Sequence, residues 1–465
     1  MILGAAALAA ADGPRASIES AIVESLDRRI ARLAIPALGS IAAEPLYNLA
    51  DTAIVGHLGR QPLDSLAIAV SALSIVAWVS IFLATATTSA VARLAAAGDS
   101  AAAGRAVGAA YTVAAIWGVV IAVIVVLVAP WAAALLGAHG AVATGAVGYL
   151  RVSAAGLPFL YLSFAGNGHM IGLEDTRTPL RIAVSANILN VALESALVFG
   201  AHTGLLGSAW GTVIAQVAAA AAYALASWRR ASVRPLRPGS EQIRALLGDG
   251  HRLSVRTIAL GVVPLATTAV VARIGPVTLA GHQIAYRIWY MLSLSLDALA
   301  VPAQVFVSSA IGAGDPEAAR RTGQRTLRLG LVTGCVFGVI TAALALGVPD
   351  AFTADPAVRH AAVIGLIASA LTQPLAALAF VLDGLILGIA DYAAMRRAMI
   401  LAIFAFAPMA LLTVRFHWLG LPGVWAALGL WLAARSALLG RRWITHVRSP
   451  AAKTSARAAD SAASC

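Results

Sequence analysis

Cysteine is nearly absent from this chain of 465 residues: there are two, Cys335 within an apolar stretch and Cys465 at the last position. Two thiols so placed supply neither a disulfide framework nor a metal-ligating cluster, so no metal site and no cofactor is expected. Charge is also scarce. Charged residues make up 12% of the chain and hydrophobic ones 60%, against about 25% and about 45–50% in soluble domains. That balance excludes a soluble fold. An intramembrane lipid-modifying enzyme would need an Asp-rich motif or a metal triad; neither is present, so the chain is not read as an enzyme and no catalytic residue is assigned. The stretch Met1–Ala11 lacks a basic leading segment and makes a poor signal peptide, whereas Ser17–Arg32 reads as a short amphipathic helix on the inner membrane surface.

What the chain does have is apolar runs, each longer than the roughly 18 residues that cross a bilayer as a helix. Twelve can be placed, near residues 32–57, 63–92, 106–136, 141–172, 179–199, 205–228, 253–274, 277–311, 326–348, 358–389, 395–414 and 419–443. The net charge of +12 could suggest a nucleic-acid partner, but its placement argues otherwise. Twenty-five lysines and arginines fall in one set of alternate loops and the tail, Arg435 being counted with the tail, and four (Arg60, Arg273, Arg359, Arg415) in the opposite loops. The positive-inside rule then puts both termini in the cytoplasm of a multi-pass plasma-membrane protein.

The chain also repeats itself. At an offset of 216 residues Pro158 falls on Pro374, Gly168 on Gly384, Gly172 on Gly388, Asp175 on Asp391 and Arg181 on Arg397. Gly98, Asp99 and Gly118 fall likewise on Gly314, Asp315 and Gly334. Six spans per half is an even number, so the halves are parallel repeats about an axis along the membrane normal, a transporter design. The expected fold is therefore all-α, with twelve transmembrane helices in two pseudo-symmetric six-helix bundles. Residues 1–29 form an interfacial segment, 30–229 the first lobe, 230–250 a solvated linker, 251–446 the second lobe and 447–465 a disordered tail. Gly168/Gly172 and Gly384/Gly388 have the small-xxx-small spacing, read as packing.

An ionisable group at the bilayer centre costs about 2.5–3.5 kcal/mol even on the gentler scales, so each needs a reason. The first span holds Glu44 and Asp51, the fifth Glu194 with Asn190 one turn away, and the eighth Arg287 and Asp297. Asp51 and Glu194 lie at similar depth. Two carboxylates in a low-dielectric pocket cannot both ionise cheaply, so the pair is expected to bind a proton or a cation. Pro36 and Pro45 can bend the first helix beside them. Arg287 needs a carboxylate: pairing with Glu44 or Asp51 would make a gate, pairing with Asp297 or a wet cavity a structural site, and both stay open. Gln283 could face the same cavity, with His282 beside it. Asp383 and Arg151 lie nearer helix ends and are expected to snorkel to an interface. His169 and His282 are read as packing residues.

The run from Glu44 through Pro45, Asn48 and Asp51 to Gly59 resembles the first helix of the multidrug and toxin extrusion (MATE) family, its ending the DinF branch in particular. The loop 172–179 resembles that family's segment after the fourth helix, and the runs 280–284 and 297–300 its eighth. The resemblance covers about residues 30–445. It implies proton- or sodium-driven antiport of amphipathic, often cationic compounds through a V-shaped pair of bundles, with small organic substrates, the membrane lipid as surroundings, and one chain as the working unit. By motif Asp51 matches the family's first-helix aspartate, Asn190 with Glu194 its fifth-helix asparagine and acid, and Arg287 an arginine of the DinF branch. The chain departs in carrying Glu194 where aspartate is commoner, and Ile171 where an arginine is usual. Lipid-linked oligosaccharide flippases share the architecture, but would be expected to line the cavity with more cations than Arg287 alone.

Overall fold

A computed structural model describes residues 13–448, and they form helices joined by short turns. The first lobe contains α1 (Gly13–Gly56), α2 (Arg60–Ser80), α3 (Phe82–Ala96), α4 (Ser100–Leu135), α5 (Gly140–Ala154), α6 (Leu157–Gly172), α7 (Arg177–Ser195) with a π-helical turn (Ala196–Gly200), and α8 (Leu205–Arg229). The second contains α9 (Ser240–Ile274), α10 (Pro276–Gly312), α11 (Pro316–Leu344), α12 (Val348–Phe352), α13 (Pro356–Gly388), α14 (Tyr392–Arg415) and α15 (Gly420–Arg448). Among the described residues ten segments are long and apolar enough to cross a membrane, α2 and α3 together forming one of them; the pair α5 and α6, bent by 50°, makes an eleventh. With α1, whose polar residues dilute its hydropathy, the count is twelve. The protein is a multi-pass membrane protein of two six-span halves.

The duplication holds at the level of single contacts. A Cβ on Gly168 would stand 2.4 Å from the Ala84 carbonyl oxygen, and one on Gly384 would stand 2.4 Å from that of Ala300. Gly172 abuts Val91 as Gly388 abuts Val307, and Gly118 lies against Pro158 as Gly334 lies against Pro374. These glycines let backbones approach in lipid, where apolar burial alone gives no preference for helix contact. The turns match too. Gly98 and Gly314 adopt positive φ of 79° and 71°, a region open to glycine at little cost. Asp99 and Asp315 then cap α4 and α11 by accepting from the Ala102 and Ala318 amides at 2.7 and 2.8 Å.

Three local expectations are corrected. Ser17–Arg32 is no separate helix, because α1 runs unbroken from Gly13 to Gly56 through Pro36 and Pro45. The linker is mostly exposed, as its composition implies, but shorter than expected. Residues 230–239 are non-helical, Val233 is buried, and the Leu236 amide donates to the Gly104 carbonyl at 2.9 Å. Gly104 and Gly108 leave room for that segment to lie on α4. Helix α9 then starts at Ser240, ahead of the expected span. The expectations for Met1–Ala11 and for residues 449–465 lie outside the described residues.

The lobes meet at the arginine-rich end. The Gln304 side chain on α10 donates to the Thr85 carbonyl and approaches Ser89 Oγ at 2.9 and 2.8 Å on α3, and Ser89 donates to the Leu387 carbonyl at 2.9 Å. Arg325 on α11 forms a two-point ion pair with Asp27 on α1.

Candidate functional site

The first lobe encloses a cage of polar groups between α1, α7 and α8. Asp51 is 2% exposed, Glu194 0% and Asn190 3%. Ser208 and Thr212 sit one turn apart on α8, and Tyr47 sits one turn before Asp51 on α1, so each helix turns two polar side chains to the same point. Ser208 Oγ lies 2.8 Å from Asp51 Oδ1 and 2.7 Å from Glu194 Oε1. Thr212 Oγ1 receives Asn190 Nδ2 at 3.2 Å and lies 3.0 Å from the Tyr47 hydroxyl. Tyr149 on α5, also buried, is close enough to Asp51 and Glu194 to feel both charges. Gly211 explains how α8 comes so near: a Cβ there would stand 2.9 Å from Glu194 Cγ and 3.1 Å from its backbone nitrogen.

Hydrogen counting constrains this cage. A hydroxyl has one hydrogen, so Ser208 can donate to one carboxylate only. The second short contact is a hydrogen bond only when the other carboxyl carries a proton and donates to Ser208 Oγ. Neither acid has an arginine or lysine within 4.0 Å among the described residues, and Glu194 Oε2 and Asn190 Oδ1 are buried without a hydrogen-bond partner. A buried charge so poorly compensated is costly. The arrangement suits one mobile proton held between two acids.

The other sequence-derived residues are more scattered. Glu44 lies two turns before Asp51 and is exposed, as are Arg287 and Asp297 on α10, while Gln283 is half-buried. Arg287 has no ion pair among the described residues, and so is joined neither to Asp51 and Glu44 nor to Asp297. Tyr290 is within electrostatic reach of Glu44, Arg287 and Asp297. Pro36 and Pro45 leave the carbonyls of Arg32 and Ile41 without their usual helical donors. His169 approaches Ser227 Oγ at 3.0 Å, and His282 stacks on Tyr286 and lies against Trp425.

The second lobe holds a cluster that the sequence reading missed. Asp383, expected to snorkel, is 2% exposed and lies between two arginines. Arg256 on α9 donates to its Oδ2 at 2.6 Å, and Arg435 on α15 pairs with the same carboxylate while lying 5.4 Å from the ring centres of both Phe380 and Trp431. Arg435 is therefore a core residue, not a cation of the inner tail. Helix α13 carries Asp383 about one and a half turns before its end, and Arg256 of α9 and Arg435 of α15 reach it there, so its carboxylate meets guanidinium before it can reach water.

A family model, MatE, matches residues 36–195 and 253–414, most of both lobes. The chain belongs to this family. Its MATE relatives include Protein DETOXIFICATION 44, chloroplastic, of Arabidopsis thaliana, 32% identical over 428 residues that cover 89% of this chain and 81% of the relative. DNA damage-inducible protein F of Escherichia coli (strain K12) is 26% identical, covering 92% of this chain and 94% of that one. Among solved structures, MATE in the bent conformation matches with a TM-score of 0.86 at 21% identity, covering 93% of this chain and 97% of that one. An outward-facing multidrug resistance MATE family transporter of the MOP superfamily matches with a TM-score of 0.84 at 20% identity, covering 92% and 97%. The protein is thus a MATE-family transporter with DinF-like relatives, and the asymmetric chemistry of its lobes sits on the family's symmetric scaffold.

Proposed function

We propose that this MATE transporter exports amphipathic or cationic small organic compounds from the cytoplasm across the plasma membrane in exchange for protons, both termini being cytoplasmic. The observation that carries the reading is the Ser208 hydroxyl held between the buried carboxyls of Asp51 and Glu194. A proton entering from outside would complete both hydrogen bonds. Its loss would leave two carboxylates facing one donor, and Coulomb repulsion in a low-dielectric site would favour a rearrangement of α1 against α7 and α8. Pro45, six residues before Asp51, supplies a point where α1 can flex. Alternating access then follows from rocking of two similar lobes about the space lined by Glu44, Arg287 and Asp297. The printed names of relatives, including a probable multidrug resistance protein NorM of Thermotoga maritima, support export of organic compounds.

The test is proteoliposome counterflow of a cationic dye under an imposed pH gradient. Asp51→Asn is expected to lose gradient-driven transport while keeping passive exchange of dye. Transport by Asp51→Asn at the parental rate would remove the coupling role. Replacing the pH gradient by a sodium gradient discriminates the ion, and sodium-driven uptake in a pH-clamped vesicle would overturn proton coupling.

A further inference from the structure

A second polar feature lies at the arginine-rich end, far along α1 from the carboxylate cage. Where the start of α1 meets α11, a cavity of about 300 Å³ is lined by Arg29, Arg321, Arg325 and Arg328, with Thr322 and Gln324 between them and no carboxylate in its wall. The acids around its rim do not neutralise it fully. Asp27 takes up Arg325, and Glu174 lies 3.3 Å from Arg29. Asp315 is 3.9 Å from Arg321, a loose contact between side chains about half exposed, and Arg328 has no ion pair among the described residues. Four guanidiniums converging from both lobes make a site for a phosphate, which arginine binds through paired N–H groups.

The shape of α11 says what kind of phosphate. Positions 321, 325 and 328 recur at spacings of four and three and so share one face. The same face continues through Val332, 62% exposed, Cys335, exposed, and Val339, 71% exposed. From Arg328 to Val339 this apolar track runs about 16 Å at about 1.5 Å per residue. That is the thickness of one leaflet, half of about 30 Å of hydrocarbon. A cationic pocket followed by a one-leaflet apolar track matches a phospholipid, whereas a soluble phosphate would use only the pocket.

We propose that this cavity binds the phosphate of an anionic phospholipid, with an acyl chain lying along Val332, Cys335 and Val339. Because Arg29 belongs to the first lobe and Arg321, Arg325 and Arg328 to the second, the bound headgroup also ties the lobes together at this end. It therefore stabilises the conformation in which they touch there. Basic pockets between helices at the membrane surface are suited to anionic headgroups. The inference is independent of the coupling ion.

The experiment uses full-length protein in a neutral detergent and follows the thermal midpoint on adding dioleoyl phosphatidylglycerol, dioleoyl phosphatidylcholine or inorganic phosphate. Bound lipid is counted in parallel by native mass spectrometry. Phosphatidylglycerol is expected to raise the parent's midpoint by several degrees and to be retained at least fivefold over phosphatidylcholine. Arg321→Gln with Arg328→Gln, both at exposed positions, is expected to lose at least half of that shift and of that retention, and Arg328→Gln alone a smaller part. Arg60→Gln, whose side chain is 95% exposed on α2, is the control and is expected to behave as the parent. Equal shifts from the two lipids, or full retention by the double variant, would overturn the proposal. A full shift from inorganic phosphate alone would assign the site to soluble anions and overturn the lipid assignment.

Discussion

Replacing Asp383 by asparagine removes the counter-charge of two guanidiniums. The side chains of Asp383 and Arg435 are 3% and 2% exposed, and that of Arg256 is 15% exposed. Breaking a buried ion pair by deleting one partner costs about 3–5 kcal/mol, since the remaining charge stays desolvated. Stacking on Phe380 and Trp431 holds Arg435 in place, so it cannot swing out to water. Arg256, less buried, can turn towards Asp297, whose carboxylate already interacts with it. The expected loss for Asp383→Asn is therefore near the lower end, about 3 kcal/mol, or roughly two orders of magnitude in the folding equilibrium. Unfolding in mixed micelles by added SDS, followed by tryptophan fluorescence, measures it, with Trp431 reporting locally. Replacing the two most buried members together, Asp383→Leu with Arg435→Leu, puts apolar volume where that pair was and leaves Arg256 to turn towards Asp297; it is expected to recover most of the parent's stability, because such exchanges are often neutral. A snorkelling aspartate would instead behave as a surface position and change stability by less than about 0.5 kcal/mol. An Asp383→Asn loss below about 1 kcal/mol, or a double variant as unstable as the sum of its singles, would refute the buried-pair argument.

Ser208→Ala removes the hydroxyl between two carboxyls, a charge-assisted bond of about 1.5–3 kcal/mol; pH-driven dye efflux is expected to fall at least tenfold, with Thr212→Val, one turn along, falling less. Gly211→Ala forces a methyl to within 2.9 Å of Glu194 Cγ, so destabilisation of about 1–3 kcal/mol is expected from overpacking, measured by the same SDS titration, with efflux lowered because Glu194 must shift. The Arg325 guanidinium holds the Asp27 carboxyl below the usual carboxylate range. Since that folded value is depressed, the pair's stabilisation is present above the unfolded pKa of about 3.9 and disappears as pH falls through the folded value. Asp27→Asn is thus expected to lower the thermal midpoint at pH 7 by the equivalent of at most about 1 kcal/mol, the pair being about one-third exposed, with the difference from the parent shrinking as pH falls through the depressed folded value.

Composition, the alternation of arginine between loops and the 216-residue offset determined that this chain is a membrane protein of twelve spans in two related halves. Each of those signals is carried by many residues, so hydrophobic length and loop charge could be read one segment at a time. Asp51, Asn190 and Glu194 were visible for the same reason: a carboxylate in an apolar run stands out by its cost. Their partners were not. Ser208 and Thr212 are as common in helices as any small polar residue, and their meaning comes from α8 packing against α1 and α7 with Gly211 at the contact. Arg435 stood inside an apolar run yet was counted with the tail, and Arg256 drew no reading at all, because depth along a span does not reveal which neighbour a long side chain meets. The Asp383 cluster and the four-arginine cavity join residues more than a hundred positions apart, and only tertiary packing could bring those charges together.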